Sequence, residues 1–128
     1  RECEALGRPA RFQGELPMGF LYVSEDPDRA WARIAPFCLY ETNCYARWQQ
    51  DSSVDMLFGS AVSAEELSKL GTYQVLRAED VLARAARLAP NDGIMLHPLV
   101  GGLDAEPSWA MLRNFFEQVA PHIAMDPL

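Results

Sequence analysis

Two short runs, Phe20-Leu21-Tyr22-Val23 and Ile94-Met95-Leu96, are apolar at every position. A strand with one face in water alternates polar and apolar residues, so an unbroken apolar run marks a strand covered on both faces. Helix-start signals follow both runs. Asp26 can cap a helix, and Pro27 suits its first position, where no backbone donor is needed. Asp104 stands in the same way before the last amphipathic stretch. Strand, helix, strand, helix of this kind predicts an α/β fold built from parallel βα units. The chain has 128 residues, enough for one domain or domain fragment. A closed eight-unit barrel takes about 250 residues. A portion of a barrel or a doubly wound sheet is therefore expected.

The helices can be placed by period. Trp31, Ile34, Cys38, Tyr45 and Trp48 recur at spacings of 3, 4, 7 and 3, which is one helical face. Pro36 lies within that run and predicts a kink or restart, since it deletes the bond to Ala32. Residues 49–72 break the alternation and read as an insertion. Within it Ser63 and Glu66 form a capping-box pattern for a short helix that Gly71 can end. Tyr73 to Leu76 is a candidate short extended piece, and Ala78 to Leu88 a helix with Val81, Leu82 and Ala85 inward. Gly93 to His97 reads as the second strand, stopped by Pro98. A glycine-hinged loop, Leu99 to Leu103, leads into a final helix with Trp109, Leu112, Phe116 and Val119 on one face.

Charge and cysteine content exclude several classes. Eleven basic against eighteen acidic residues give −7, which opposes non-specific nucleic-acid binding, because that needs cations to neutralise phosphates. No uncharged apolar run approaches the ~18 residues of a membrane span; the longest candidate, Gly93 to Leu103, is interrupted by His97, Pro98, Gly101 and Gly102. Three cysteines, Cys3, Cys38 and Cys44, are an odd set without a C-x-x-C pair. On one helix Cys38 and Cys44 would stand about 240° apart, so free buried thiols and a cytoplasmic location are expected. No metal site is expected, since His97 and His122 have no ligand-spaced partner. The chain opens on Arg1 and Glu2 with no initiator Met or signal pattern. Processing, or a place within a longer chain, is the expectation.

Phe20-Leu21-Tyr22-Val23-Ser24-Glu25-Asp26-Pro27-Asp28-Arg29-Ala30-Trp31 resembles the late strand-to-helix junction of the luciferase-like flavin-dependent monooxygenases. So do Glu41-Thr42-Asn43 with Tyr45 and Trp48, the Tyr73 to Val75 piece, and Leu96-His97-Pro98-Leu99-Val100-Gly101-Gly102-Leu103 before Trp109 and Leu112. The match runs from about Ala5 to Ile123 in order and spacing. Members of that family are (β/α)8 barrels that bind FMN or, in some branches, a deazaflavin. The resemblance implies the C-terminal βα units of such a TIM barrel, incomplete as given. It lacks the earlier strands that provide most flavin and phosphate contacts. The implied function is part of a flavin-dependent oxidoreductase that oxidises a small organic substrate with reduced flavin and dioxygen. The rival is a non-catalytic truncated barrel serving as a binding or assembly module. Exposed strand edges in either case imply a homo-oligomer.

Three groups of residues are candidates for chemistry. His97, at the end of the last strand, would lie on the face where barrel active sites form. There a neutral imidazole can hydrogen-bond a flavin or a reacting oxygen, and Gly101 and Gly102 allow backbone to approach a ligand. The plainer alternative is a half-buried His bonded to a carbonyl, with the glycines serving the turn. The second group is Ser24 as a phosphate contact and Glu25 as lining of a polar pocket, against ordinary helix-start chemistry; Asp26 is assigned to the cap. The third is a lid formed by Met56, Leu57 and Phe58 before Gly59-Ser60, against a surface excursion or a subunit interface. No glycine-rich dinucleotide fingerprint, P-loop or nucleophile elbow is present.

Overall fold

A computed structural model describes Gly7, residues 14–50 and residues 60–123. The expected helix end before Gly7, Cys3, and Met56, Leu57, Phe58 and Gly59 of the expected lid lie outside the described residues, Gly7 itself excepted.

Both apolar runs contribute strands, and they lie parallel in one sheet. Strand β1 is Phe20–Val23, followed by helix α1, Pro27–Gln49, and a short helix α2, Ala64–Leu70. Strand β2, Tyr73–Leu76, helix α3, Ala78–Ala85, and strand β3, Met95–Leu96, come next. A 3-10 turn, Val100–Gly102, leads to helix α4, Ala105–Gln118, and a last 3-10 turn, Ala120–His122. The chain is thus α/β with a parallel three-stranded sheet, as the strand-helix alternation predicts. Its register pairs Phe20 with Tyr73 and Val23 with Leu76 on one side of β1, and Phe20 with Met95 and Leu21 with Leu96 on the other.

The order across the sheet is β2-β1-β3, with the first strand in the middle. Consecutive units of a barrel would stand side by side as β1, β2, β3. Here the second crossover travels back past β1. Right-handed connections in opposite directions put their helices on opposite faces, and the packing follows. Ile34 and Cys38 of α1 pack with Tyr22 and Tyr73 on one face. Val81 of α3 packs with Leu21 and Val23 on the other. The alternating side chains of β1 therefore feed two cores, which is why no position in the run is polar. Full burial of a side chain such as Leu21 or Val23 stabilises by roughly 1.5–3 kcal/mol.

Local signals operate as their chemistry requires. The Asp26 carboxylate accepts from the Arg29 N–H at 3.1 Å, and Pro27 opens α1. Ser63 Oγ accepts from Glu66 N–H at 3.2 Å while Glu66 accepts from Val62 N–H at 2.9 Å, and left-handed Gly71 closes α2. Three expectations change. The inward row of α1 continues from Cys38 through Thr42 and Ala46, while Tyr45 is 39% and Trp48 71% exposed. Pro36 sits on the exposed side of α1, and the helix runs unbroken through it for 23 residues. The buried stripe of α4 is Met111, Phe115 and, just past its end, Val119, whereas Trp109 is 61% and Phe116 54% exposed. Met111 joins the first core and Phe115 the second, because α4 lies across the carboxyl end of β1, where Asn114 donates to the Val23 carbonyl.

Candidate functional site

Four chain segments meet at the carboxylate of Glu41. This residue lies on the inward side of α1, one position before buried Thr42. Its Oε1 accepts from the Tyr73 hydroxyl at 2.9 Å and lies 2.7 Å from His97 Nε2. Its Oε2 accepts from the Gly101 N–H at 2.9 Å. Thr42 Oγ1 in turn donates to the Tyr73 oxygen at 3.2 Å. The Glu41 side chain is 14% exposed and the His97 side chain 34%, so the carboxylate is the inner member and the imidazole the outer one. Charge taken out of water needs such partners, and each donor comes from a different element.

The aromatic surroundings are equally defined. The Phe20 ring lies 4.7 Å from the imidazole and 5.4 Å from Tyr73, centroid to centroid. Burial holds the Tyr73 phenol well above its usual range; the Thr42 hydroxyl bond lowers it in part, and the Glu41 carboxylate raises it further. Tyr73 therefore keeps its proton and remains a donor to Glu41. Burial, with Glu41 adding to it, pushes the nearby Cys38 thiol up to about 12. A thiol so held is not a nucleophile at neutral pH. Cys38 and Cys44 are both free and buried, as their spacing predicts.

The site does not sit where the sequence puts it. Phe20 and Tyr73 are the first residues of β1 and β2, and His97 follows a strand that pairs only with the first half of β1. The imidazole thus lies beside the first half of β1, under α1. Ser24 and Glu25 stand at the carboxyl end. Fifteen helical residues separate Asp26 from Glu41, about 22 Å along the axis. Ser24 Oγ is committed to a turn with Asp26, at 3.2 Å to both its N–H and its carbonyl. Glu25 is exposed and makes no polar contact among the described residues. His97 and Gly101 are brought together, Gly102 is exposed beside them, and Ser24 and Glu25 are not part of the same site. Glu41 and Tyr73 were not legible as site residues. The available signal was a carboxylate three residues after Cys38 on a stripe that is otherwise apolar.

A flavin fits this arrangement only in part. The imidazole of His97 is a candidate partner for the polar edge of a flavin ring. A phosphate finds no cradle, because every helix start among the described residues carries carboxylates: Asp28 in α1, Glu65 and Glu66 in α2, Glu79 and Asp80 in α3, and Glu106 in α4. The described residues do not make a complete flavin site. Two open grooves of about 520 and 340 Å³ run along α1 and against β2; His97 lines neither. No group of three or more His, Cys, Asp or Glu among the described residues is placed to hold a metal ion. No described helix is long and apolar enough to cross a membrane. No protein-family model, curated protein or solved structure matches the chain.

Proposed function

We propose that the chain forms the C-terminal part of a luciferase-like flavin-dependent oxidoreductase acting on a small organic substrate. The observation that carries this reading is the half-exposed imidazole of His97, backed by Glu41 at 2.7 Å and flanked by the Phe20 ring. A carboxylate behind an imidazole orients it, which suits proton exchange with a bound organic molecule. The order of motifs from Phe20 to Leu103 supports the same reading. Contacts to the flavin phosphate belong, in this proposal, to other strands of that barrel. FMN and a deazaflavin are equally compatible with the residues named.

One observation favours a second reading, a non-catalytic binding or assembly module. Strand β2 fills the edge of β1 that the preceding barrel strand would need. The coding sequence on the N-terminal side of Arg1 separates the two. About five further βα units in frame are expected for the enzyme, by the usual barrel count; a start codon directly before Arg1 would leave the module. In the longer protein, His97→Ala is expected to lower turnover more than it weakens flavin affinity. Unchanged turnover would remove His97 from the reaction.

A further inference from the structure

We infer that Glu41 is the positioning residue of this site, holding His97 in the tautomer with its proton on Nε2 and leaving Nδ1 as an acceptor. The inference rests on the reading of His97 as the functional imidazole, and its test does not involve flavin or turnover. An ionised carboxylate has only lone pairs to offer. A nitrogen 2.7 Å from Glu41 Oε1 must therefore carry the hydrogen. The same oxygen already receives the Tyr73 hydroxyl, and Oε2 receives the Gly101 N–H, so the carboxylate cannot rotate away. Nδ1 is left as a lone pair, with no hydrogen-bond partner among the described residues.

That geometry selects a ligand class. An acceptor nitrogen on a ring backed by a carboxylate takes a neutral O–H or N–H donor. It disfavours an anion, which would meet the Glu41 charge with no Lys or Arg paired to Glu41 among the described residues. The competing view is that Glu41 only ties the loop to α1, with the imidazole filling space. Under that view Nδ1 meets no ligand, and neither phenol nor benzoate shifts its signal.

Nitrogen-15 NMR of the 128-residue chain at pH ~8.5, above the ordinary imidazole range, decides the matter. His122, exposed and without a side-chain partner among the described residues, is the internal reference for a free ring. His97 is expected to show the Nε2-protonated form in about tenfold or greater excess over its alternative, the size expected for a bond to a charged acceptor. Glu41→Gln is expected to bring that excess down several-fold, toward the His122 mixture, while Tyr73→Phe leaves it within about twofold. A wild-type His97 that matches His122, or that is protonated on Nδ1, overturns the proposal even if neither variant folds. So does a Tyr73→Phe effect as large as that of Glu41→Gln in folded proteins. Phenol should shift the Nδ1 signal at least several-fold more than equimolar benzoate; an equal response overturns the ligand class.

Discussion

Asn43 grips the backbone of Ala61 at both of its polar groups, donating from Nδ2 to the carbonyl at 2.9 Å and accepting at Oδ1 from the N–H at 3.3 Å. The side-chain amide imitates a neighbouring strand, and it satisfies both backbone groups of buried Ala61. Asn43→Ala leaves both groups of Ala61 unpaired at a position only 4% exposed. It is expected to lower stability by about 1–3 kcal/mol. Urea unfolding measures this. Asn43→Asp, which keeps the acceptor and loses the donor, should fall between wild type and alanine.

The two apolar stripes of α4 give a ranking. Met111→Ala removes a fully buried side chain and is expected to cost about 2–5 kcal/mol. Trp109→Ser and Phe116→Ser alter exposed rings and are expected to stay within about 0.5 kcal/mol of wild type. Chemical denaturation of the three variants checks the order. The reverse order would restore the stripe that the sequence suggests.

Adjacent glycines should respond differently to alanine. Gly101 has φ 53°, and a Cβ there collides with the Phe37 carbonyl of α1. Gly102 has φ 87° and open space around its Cα. Gly101→Ala is expected to cost about 2–4 kcal/mol, from backbone strain together with the collision. Gly102→Ala carries the strain alone, about 1 kcal/mol. Because Gly101 N–H is bonded to Glu41, only the first should also disturb the His97 signals.

Cys38 supplies an alkaline limit. Its folded-state thiol is pushed up to about 12, chiefly by burial, while an unfolded thiol ionises near ~8.5. A raised folded value favours the folded state below the unfolded one, and the advantage is lost as pH rises. Stability should therefore begin to fall above pH ~8.5 and continue to fall toward ~12. The melting midpoint of Cys38→Ala should decline less over that window. A thiol reagent should modify wild-type Cys38 only as fast as the chain opens.

Much of the backbone follows from short sequence patterns. Val23 and Leu21 mark β1 by being apolar on both faces, Asp26-Pro27 sets the start of α1, and Ser63, Glu66 and Gly71 bound α2. These signals act within a few residues of themselves. The strand order is different in kind, since the direction of the crossover after β2 is decided by which helix covers which face. On α4 two apolar rows compete, and the choice between Phe115 and Phe116 depends on the position of the helix across β1. His97 and Gly101 were legible from their own residue types. Glu41 was not, because its partners lie 32, 56 and 60 positions away.

Strand β3 shares only two residue pairs with its neighbour, a slight hold for an element that carries His97. The ring and the loop after it are fastened elsewhere, through Glu41, to the middle of a 23-residue helix. If the short strand frays, the imidazole keeps its bearings from α1. Any tilt or slide of that helix carries His97, Tyr73's carboxylate partner and the Gly101 amide along as one piece. The sheet here is the wall of the site, and the helix is its hand.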